Sequence, residues 1–173
     1  MKPFSFVLLL FFTASLVYGQ PAPPSAEKIL KEAKVQAAKE NKKVFVIFHA
    51  SWCGWCHKMD SAMSDPAVKS FFDNNYVIKH LTILESKGKE HLENPGALQL
   101  LEQYHGSNQG IPFWLVFDKD GTLLADSQIT PGVNSGCPAT KEEVAYFVGV
   151  LKKTSPLKED QLDLIAKRFR QNE

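Results

Sequence analysis

The chain has 173 residues, enough for one domain. Its 20 Lys+Arg against 19 Asp+Glu leave a net charge of +1, and 44% of its residues are hydrophobic against 23% charged. That balance gives no electrostatic case for binding nucleic acid or an anionic membrane surface, and it suits a chain able to fill its own core. Three cysteines are too few for a disulfide framework, so a close pair among them points to chemistry rather than to stapling.

The first residues read as a separate object. Lys2 precedes an apolar run from Phe4 to Phe12, then Thr13, Ala14, Ser15 and a small residue at Gly19. This is the layout of a secretory signal covering residues 1–19, with cleavage expected after Gly19; an uncleaved anchor is the alternative. No cysteine follows for lipid attachment, and the terminal "RQNE" is not an endoplasmic-reticulum retention signal. The expected location is therefore a periplasm, or outside the cell after secretion. Residues 20–25, "QPAPPS", form a proline-rich spacer, and one domain is expected over residues 26–173.

From Ser25 the periodicity turns helical, with Ile29, Leu30, Ala33 and Ala37 on one face. "VFVIFH" (Val44 to His49) is short, apolar and rich in β-branched and aromatic residues, as in a strand buried on both faces. A helix follows the first two cysteines through about Met63. Ser64-Asp65-Pro66 predicts a restart, with Pro66 in the first turn and Val68, Phe71 and Phe72 facing inward. Tyr76 to Ile83 is a second strand. "ALQLLEQYH" is a helix with Leu98, Leu101 and Tyr104 on one face. Gly110 to Phe117 is a third strand, turned back by Asp118–Gly121 into a fourth. That turn lacks the spacing and closing glutamate of a calcium loop. Thr140 and Glu143 make a capping box for a helix reaching about Lys153. A last helix carries Leu162, Ile165, Ala166 and Phe169 inward. The order predicts an α/β fold: a mixed sheet flanked by helices.

The chemistry concentrates in "FHASWCGWCHKM" (Phe48 to Met59), where Cys53 and Cys56 are two residues apart and His57 follows. Three chemistries share these letters: a redox dithiol, half of a zinc site, and the C-x-x-C-H of covalent haem attachment. No second C-x-x-C or H-x-x-x-H completes a zinc site, and no metal is expected. Haem attachment would need His57 as axial ligand in mostly helical surroundings, whereas this motif follows a buried strand. A strand feeding C-x-x-C into a helix is the context of a redox motif. There Cys53, at a helix N-terminus, is the nucleophile, expected to be exposed, with its pKa lowered from about 8.5 toward ~3.5–7.5. Cys56, one turn on, is the resolving thiol.

The strand "VFVIFH", the segment "SWCGWCHKM", "NPGALQLLEQYHGSNQGIP" and the hairpin "FWLVFDKDGTLL" occur in an order that resembles the thioredoxin superfamily, over residues 27–152. The segment "SDPAVKSFFDNNYVIKH" is similar to secreted or periplasmic members and to the reductase domain of membrane disulfide-interchange proteins. The resemblance implies a thioredoxin-like fold, thiol:disulfide exchange with protein thiols and disulfides, and no cofactor beyond a Cys53–Cys56 disulfide. It implies a cis-proline at Ile111-Pro112 facing the dithiol, where neighbouring backbone groups pair with an extended substrate strand. Trp52, Gly54 and Trp55 would complete the substrate surface. It also implies a membrane thiol-electron transporter as partner, and a monomer is expected. Two departures stand out. Ile47 occupies the place, six residues before Cys53, where thioredoxins carry a buried aspartate, and Gly54-Trp55 replaces the usual Gly-Pro. Ile111 before the proline leans toward the reductase direction. His57 is either a solvent-facing helix residue or a cation that supports the Cys53 thiolate or relays a proton to Cys56. Cys137, in the loop "NSGCPAT", reads as a lone unreactive cysteine, with a transient partner disulfide or a dimer link as the alternatives. A peptide-binding module without redox turnover is the rival function.

Overall fold

A computed structural model describes residues 22–173. The signal segment 1–19 and its cleavage site lie outside the described residues. Ser25 caps α1 (Ala26–Glu40), accepting the Lys28 N–H, and Asn41 ends it in the left-handed conformation. β1 (Lys43–His49) then enters the centre of a four-stranded sheet of order β2-β1-β3-β4. β1 runs parallel to β2 (Tyr76–Thr82) and antiparallel to β3 (Phe113–Phe117), which pairs antiparallel with β4 (Leu123–Asp126). Every β1 residue from Val44 to Phe48 is buried, as a strand covered on both faces requires.

Alternation along β1 and β3 sends side chains into two separate cores. Val44, Val46, Phe48, Phe113, Leu115 and Phe117 face α1 and α4 (Ala97–Gln103). Phe45, Ile47, Trp114 and Val116 face the other side. That side is covered by α2 (Gly54–Met63), α3 (Lys69–Asn75), α5 (Lys141–Thr154) and α6 (Glu159–Phe169). The predicted capping box of α5 is formed: Thr140 Oγ1 accepts the Glu143 N–H, and the Glu143 carboxylate accepts the Thr140 N–H.

Four local expectations are corrected. The restart after α2 begins at Lys69, not Ser64. Asp65 instead closes a turn, with its side chain accepting the Ala67 N–H and its carbonyl those of Val68 and Lys69. Leu98 is 44% exposed; α4 buries Ala97 and Leu101 and half-buries Leu100 and Tyr104, a face one step away. β3 starts at Phe113, because Gly110 to Pro112 form the loop that meets the cysteines. Finally, a small hairpin of β5 (Gln128–Thr130) and β6 (Val133–Asn134) lies between β4 and α5. Its sequence signal was Pro131-Gly132, a turn dipeptide whose glycine takes φ +84°.

Candidate active site

β1 ends at His49, and Ala50, Ser51 and Trp52 carry the chain to Cys53, the N-cap of α2. Cys53 and Cys56 form a disulfide, with Cα atoms 5.3 Å apart. The Cys56 N–H donates to Cys53 Sγ at 3.1 Å, so an otherwise unpaired helix N-terminal donor points at that sulfur. On reduction the same donor and the helix dipole favour charge on Cys53 rather than on Cys56. The Ile111-Pro112 peptide bond is cis. The Ile111 carbonyl oxygen lies 3.5 Å from Cys53 Sγ, placing an acceptor where a reduced Cys53 thiol can donate. Pro112 is buried beside it, and Ile111 packs on Ala50, Cys53 and Cys56.

Access is tighter than the sequence suggested. Cys53 was expected to be exposed, but it is 3% exposed and Cys56 1%. The cause is Ile111 and Ala50 packed around the pair. What opening exists favours Cys53. Around it Trp52 is 56% and Trp55 48% exposed, and Gly54 is exposed with nothing within 4 Å of where a Cβ would lie. The surface beside the sulfur is therefore low, apolar and open.

Distant residues that the sequence did not reveal hold this rim. The Trp52 indole N–H donates to the Leu84 carbonyl at 2.7 Å, and Leu84, 48% exposed, sits at φ +53°, a costly conformation for leucine. Glu85 accepts from both the Ser51 N–H (2.6 Å) and the Ser51 hydroxyl (2.7 Å). Asn134, on β6, donates to the carbonyls of Gln109, Gly110 and Pro112 and so fixes the proline loop. Burial pushes the Glu85 carboxyl up, but the Ser51 hydrogen bonds and the Lys89 charge outweigh it and hold it below the ordinary 4.5. A carboxyl lowered in the folded state contributes its stabilisation above pH 4.5 and loses it as pH falls below that value. Acid titration of tryptophan emission should therefore show a step below pH 4.5 as the Ser51–Glu85 clamp opens, and Glu85→Gln should lack that step.

His57 is exposed and bonded: its Nε2 lies 3.0 Å from the Ser51 carbonyl, to which it donates. That nitrogen, which haem attachment would need as axial ligand, is thus engaged with the turn before Cys53. His49 is half-buried, with Nε2 3.1 Å from Thr82 Oγ1 and its ring 4.8 Å from that of His80. Burial, then the neighbouring His80, lowers its pKa. His80 in turn meets Asp60 Oδ1 at 2.8 Å. Ile47, at the position of the thioredoxin aspartate, is 1% exposed in an apolar cluster. Trp114 and Phe117 are core residues.

Cys137 is a free thiol, 4% exposed, beneath the Asn172 amide, whose Nδ2 donates to its sulfur at 3.3 Å. Burial pushes its pKa up to about 12. In the reduced, folded protein at pH 8, iodoacetamide should label Cys53, whose thiolate the helix N-terminus favours, while leaving the protonated Cys137 unmodified until denaturant is added; labelling of Cys137 at the Cys53 rate would overturn that difference in ionisation.

Comparison with known proteins places this geometry. The crystal structure of a disulphide isomerase from Xylella fastidiosa Temecula1 superposes with a TM-score of 0.51 at 19% identity, covering 88% of this chain and 95% of that one. A Thermus thermophilus thioredoxin is similar at a TM-score of 0.45 and 18% identity, over 70% of this chain and 80% of its own. The DsbD C-terminal domain of Neisseria meningitidis, in its oxidised form, gives 0.40 and 24%, over 61% and 84%. No curated protein matches. The thioredoxin-like family profile matches residues 25–119, more than half of the chain, and that span holds the strand, the disulfide and the cis-proline. On that match, and with its C-x-x-C pair joined as a disulfide, the chain belongs to the thioredoxin-like family and is a thiol:disulfide oxidoreductase.

Proposed function

We propose that the protein works as an exported reductase of protein disulfides, with Cys53 as nucleophile and Cys56 as resolving thiol. The observation that carries the assignment is the asymmetry at the pair: Cys53 Sγ receives the Cys56 N–H at 3.1 Å and lies 3.5 Å from the Ile111 carbonyl oxygen, beside the exposed Trp52 and Gly54. The Cys53 thiolate attacks one sulfur of a target disulfide. The target S–S bond breaks, one thiolate leaves, and a mixed disulfide forms. Cys56, deprotonated, then attacks Cys53 Sγ and releases the second thiolate. Two electrons pass from the Cys53–Cys56 pair to the target, and the two released thiolates take up protons. Trp52, Gly54, Trp55, Ile111 and Pro112 form the surface against which an extended target strand lies, and His57 steadies the turn before Cys53. Cys137 takes no part.

The signal-like residues 1–19 and the proline-rich spacer support export to a periplasm or outside the cell, with an uncleaved anchor as the tethered alternative. There the oxidised pair needs re-reduction, and a membrane thiol-electron transporter is the proposed donor. Ile111 before Pro112 favours the reductase direction. Equilibration with glutathione tests it: a Cys53–Cys56 potential near the thioredoxin end, about −270 mV, is expected, and a value near −120 mV would make the protein an oxidant instead.

A further inference from the structure

Trp55, exposed and directly before Cys56, has no hydrogen bond to hold its ring. Among the described residues the Trp52 indole N–H donates to the Leu84 carbonyl and that of Trp114 to the Gly136 carbonyl, whereas that of Trp55 meets no acceptor. Open space lies on both sides of it. A groove of about 390 Å³ has Trp55 and Glu173 in its lining, and one of about 400 Å³ runs along Gly54, Lys58 and Asn172. A side chain free to turn loses that freedom when a substrate fixes it, and the loss weakens binding.

One contact restrains the ring. Lys58, three residues further along α2, sets its Nζ 4.2 Å from the centre of the Trp55 ring. A lysine stem is flexible, but this ammonium has a second anchor: it donates to the Asn172 carbonyl at 2.9 Å. Asn172 is 5% exposed and is itself fastened. Its Nδ2 donates to Cys137 Sγ at 3.3 Å and to the Pro138 carbonyl at 3.1 Å, and its Oδ1 accepts from Arg168. Carboxylates on the neighbouring elements are engaged elsewhere: Asp65 with Arg168, Glu173 with Arg170 and Asp60 with His80. Lys58 is thus bracketed between a fixed carbonyl and the indole.

From this we infer that Lys58 is a positioning residue for the substrate surface. Anchored on the Asn172 carbonyl, it holds the Trp55 indole in place beside the disulfide, covering one face of the ring and leaving the other for the protein substrate. The inference rests on the oxidoreductase function proposed above. Lys58 acts through Trp55 and not on the sulfurs. By ordering the ring before the substrate arrives it strengthens substrate and transition-state binding alike, so its effect falls on KM and not on kcat.

Insulin reduction, with dithiothreitol as electron source, tests it in Lys58→Ala and Lys58→Arg. Lys58 is exposed, so both variants keep the fold. Alanine is expected to raise KM about threefold at unchanged kcat, the size of one exposed cation–π contact. Arginine, whose guanidinium both stacks on a ring and donates to a carbonyl, should restore the wild-type KM. In a Trp52→Phe background Trp55 is the accessible indole, because Trp114 is fully buried. There, acrylamide quenching of tryptophan emission should rise in Lys58→Ala and return in Lys58→Arg. The decisive comparison is Trp55→Ala with and without Lys58→Ala: once the ring is gone, the second substitution should add nothing to KM. An equal rise of KM in that background would make Lys58 a direct substrate contact and overturn the positioning role. Wild-type KM and quenching in Lys58→Ala, or a fall in kcat at unchanged KM, would overturn it too and leave the reductase standing. Wild-type protein that fails to reduce insulin would remove the reductase assignment and the role of Lys58 with it.

Discussion

Replacing Cys53 by serine is expected to abolish the reduction of insulin disulfides, because a serine hydroxyl under the same Cys56 N–H neither ionises near neutral pH nor exchanges with a disulfide. Cys56→Ser has a different consequence. Cys53 still attacks, the second step cannot occur, and mixed disulfides accumulate as adducts that dithiothreitol dissolves. The pair of variants separates the competing functions. A peptide-binding module would keep its biological activity in Cys53→Ser, and a haem protein would show a Soret band that either substitution alters. Undiminished disulfide reduction by the double variant would end the enzyme assignment, since it would place the electrons somewhere other than this disulfide.

The largest expected effect on stability lies away from the cysteines, at Phe147. Its ring, fully buried on α5, meets Phe169 of α6 at 4.8 Å, Trp114 of β3 at 5.5 Å, Phe72 of α3 at 6.3 Å and Phe45 of β1 at 6.4 Å. One side chain thus joins three helices to the sheet. Phe147→Ala removes the ring and leaves a cavity among groups already fixed by their own elements. The expected loss is about 3–5 kcal/mol, a large part of the ~5–15 kcal/mol that holds a domain of this kind folded. In urea this appears as a midpoint lowered by more than about 1 M at unchanged slope. Phe147→Leu, which refills much of the volume, should recover more than half of the loss. An alanine variant unfolding within about 0.5 kcal/mol of wild type would show that the aromatic cluster is not the keystone of that face.

Most of the fold could be read from the chain because its signals are local. The run Val44 to Phe48 has strand character on its own, the Thr140/Glu143 box marks a helix start, and Ile165 and Phe169 repeat at the helical period. The cysteine pair was legible for the same reason, as a spacing inside one turn. What the sequence hid is held together across distance. Glu85 reaches back over 34 residues to Ser51, Leu84 lends its carbonyl to Trp52, and Asn134 grips a proline loop more than twenty residues before it. No periodicity encodes such bonds; each depends on two loops that only the completed sheet brings together. The expected exposure of Cys53 failed similarly. Helix-start position says where a sulfur ionises, but Ile111, which covers it, comes from the far end of another segment. Leu98 was misplaced because a seven-residue helix offers too few turns for its apolar face to be unambiguous.

The fastening of residue 172 has a bearing on biogenesis. The Asn172 amide lies over Cys137 and the Pro138 carbonyl, its own carbonyl takes Lys58 of α2, and Arg168 closes the knot. A ribosome makes Cys137 before it makes its cover, and 35 residues separate it from Asn172. At about 5–20 residues per second, the odd thiol is made roughly 2–7 s before the residue that covers it. During that interval mispaired bridges to Cys137 compete with the proper one, and docking of the tail ends the contest by sealing the odd sulfur away.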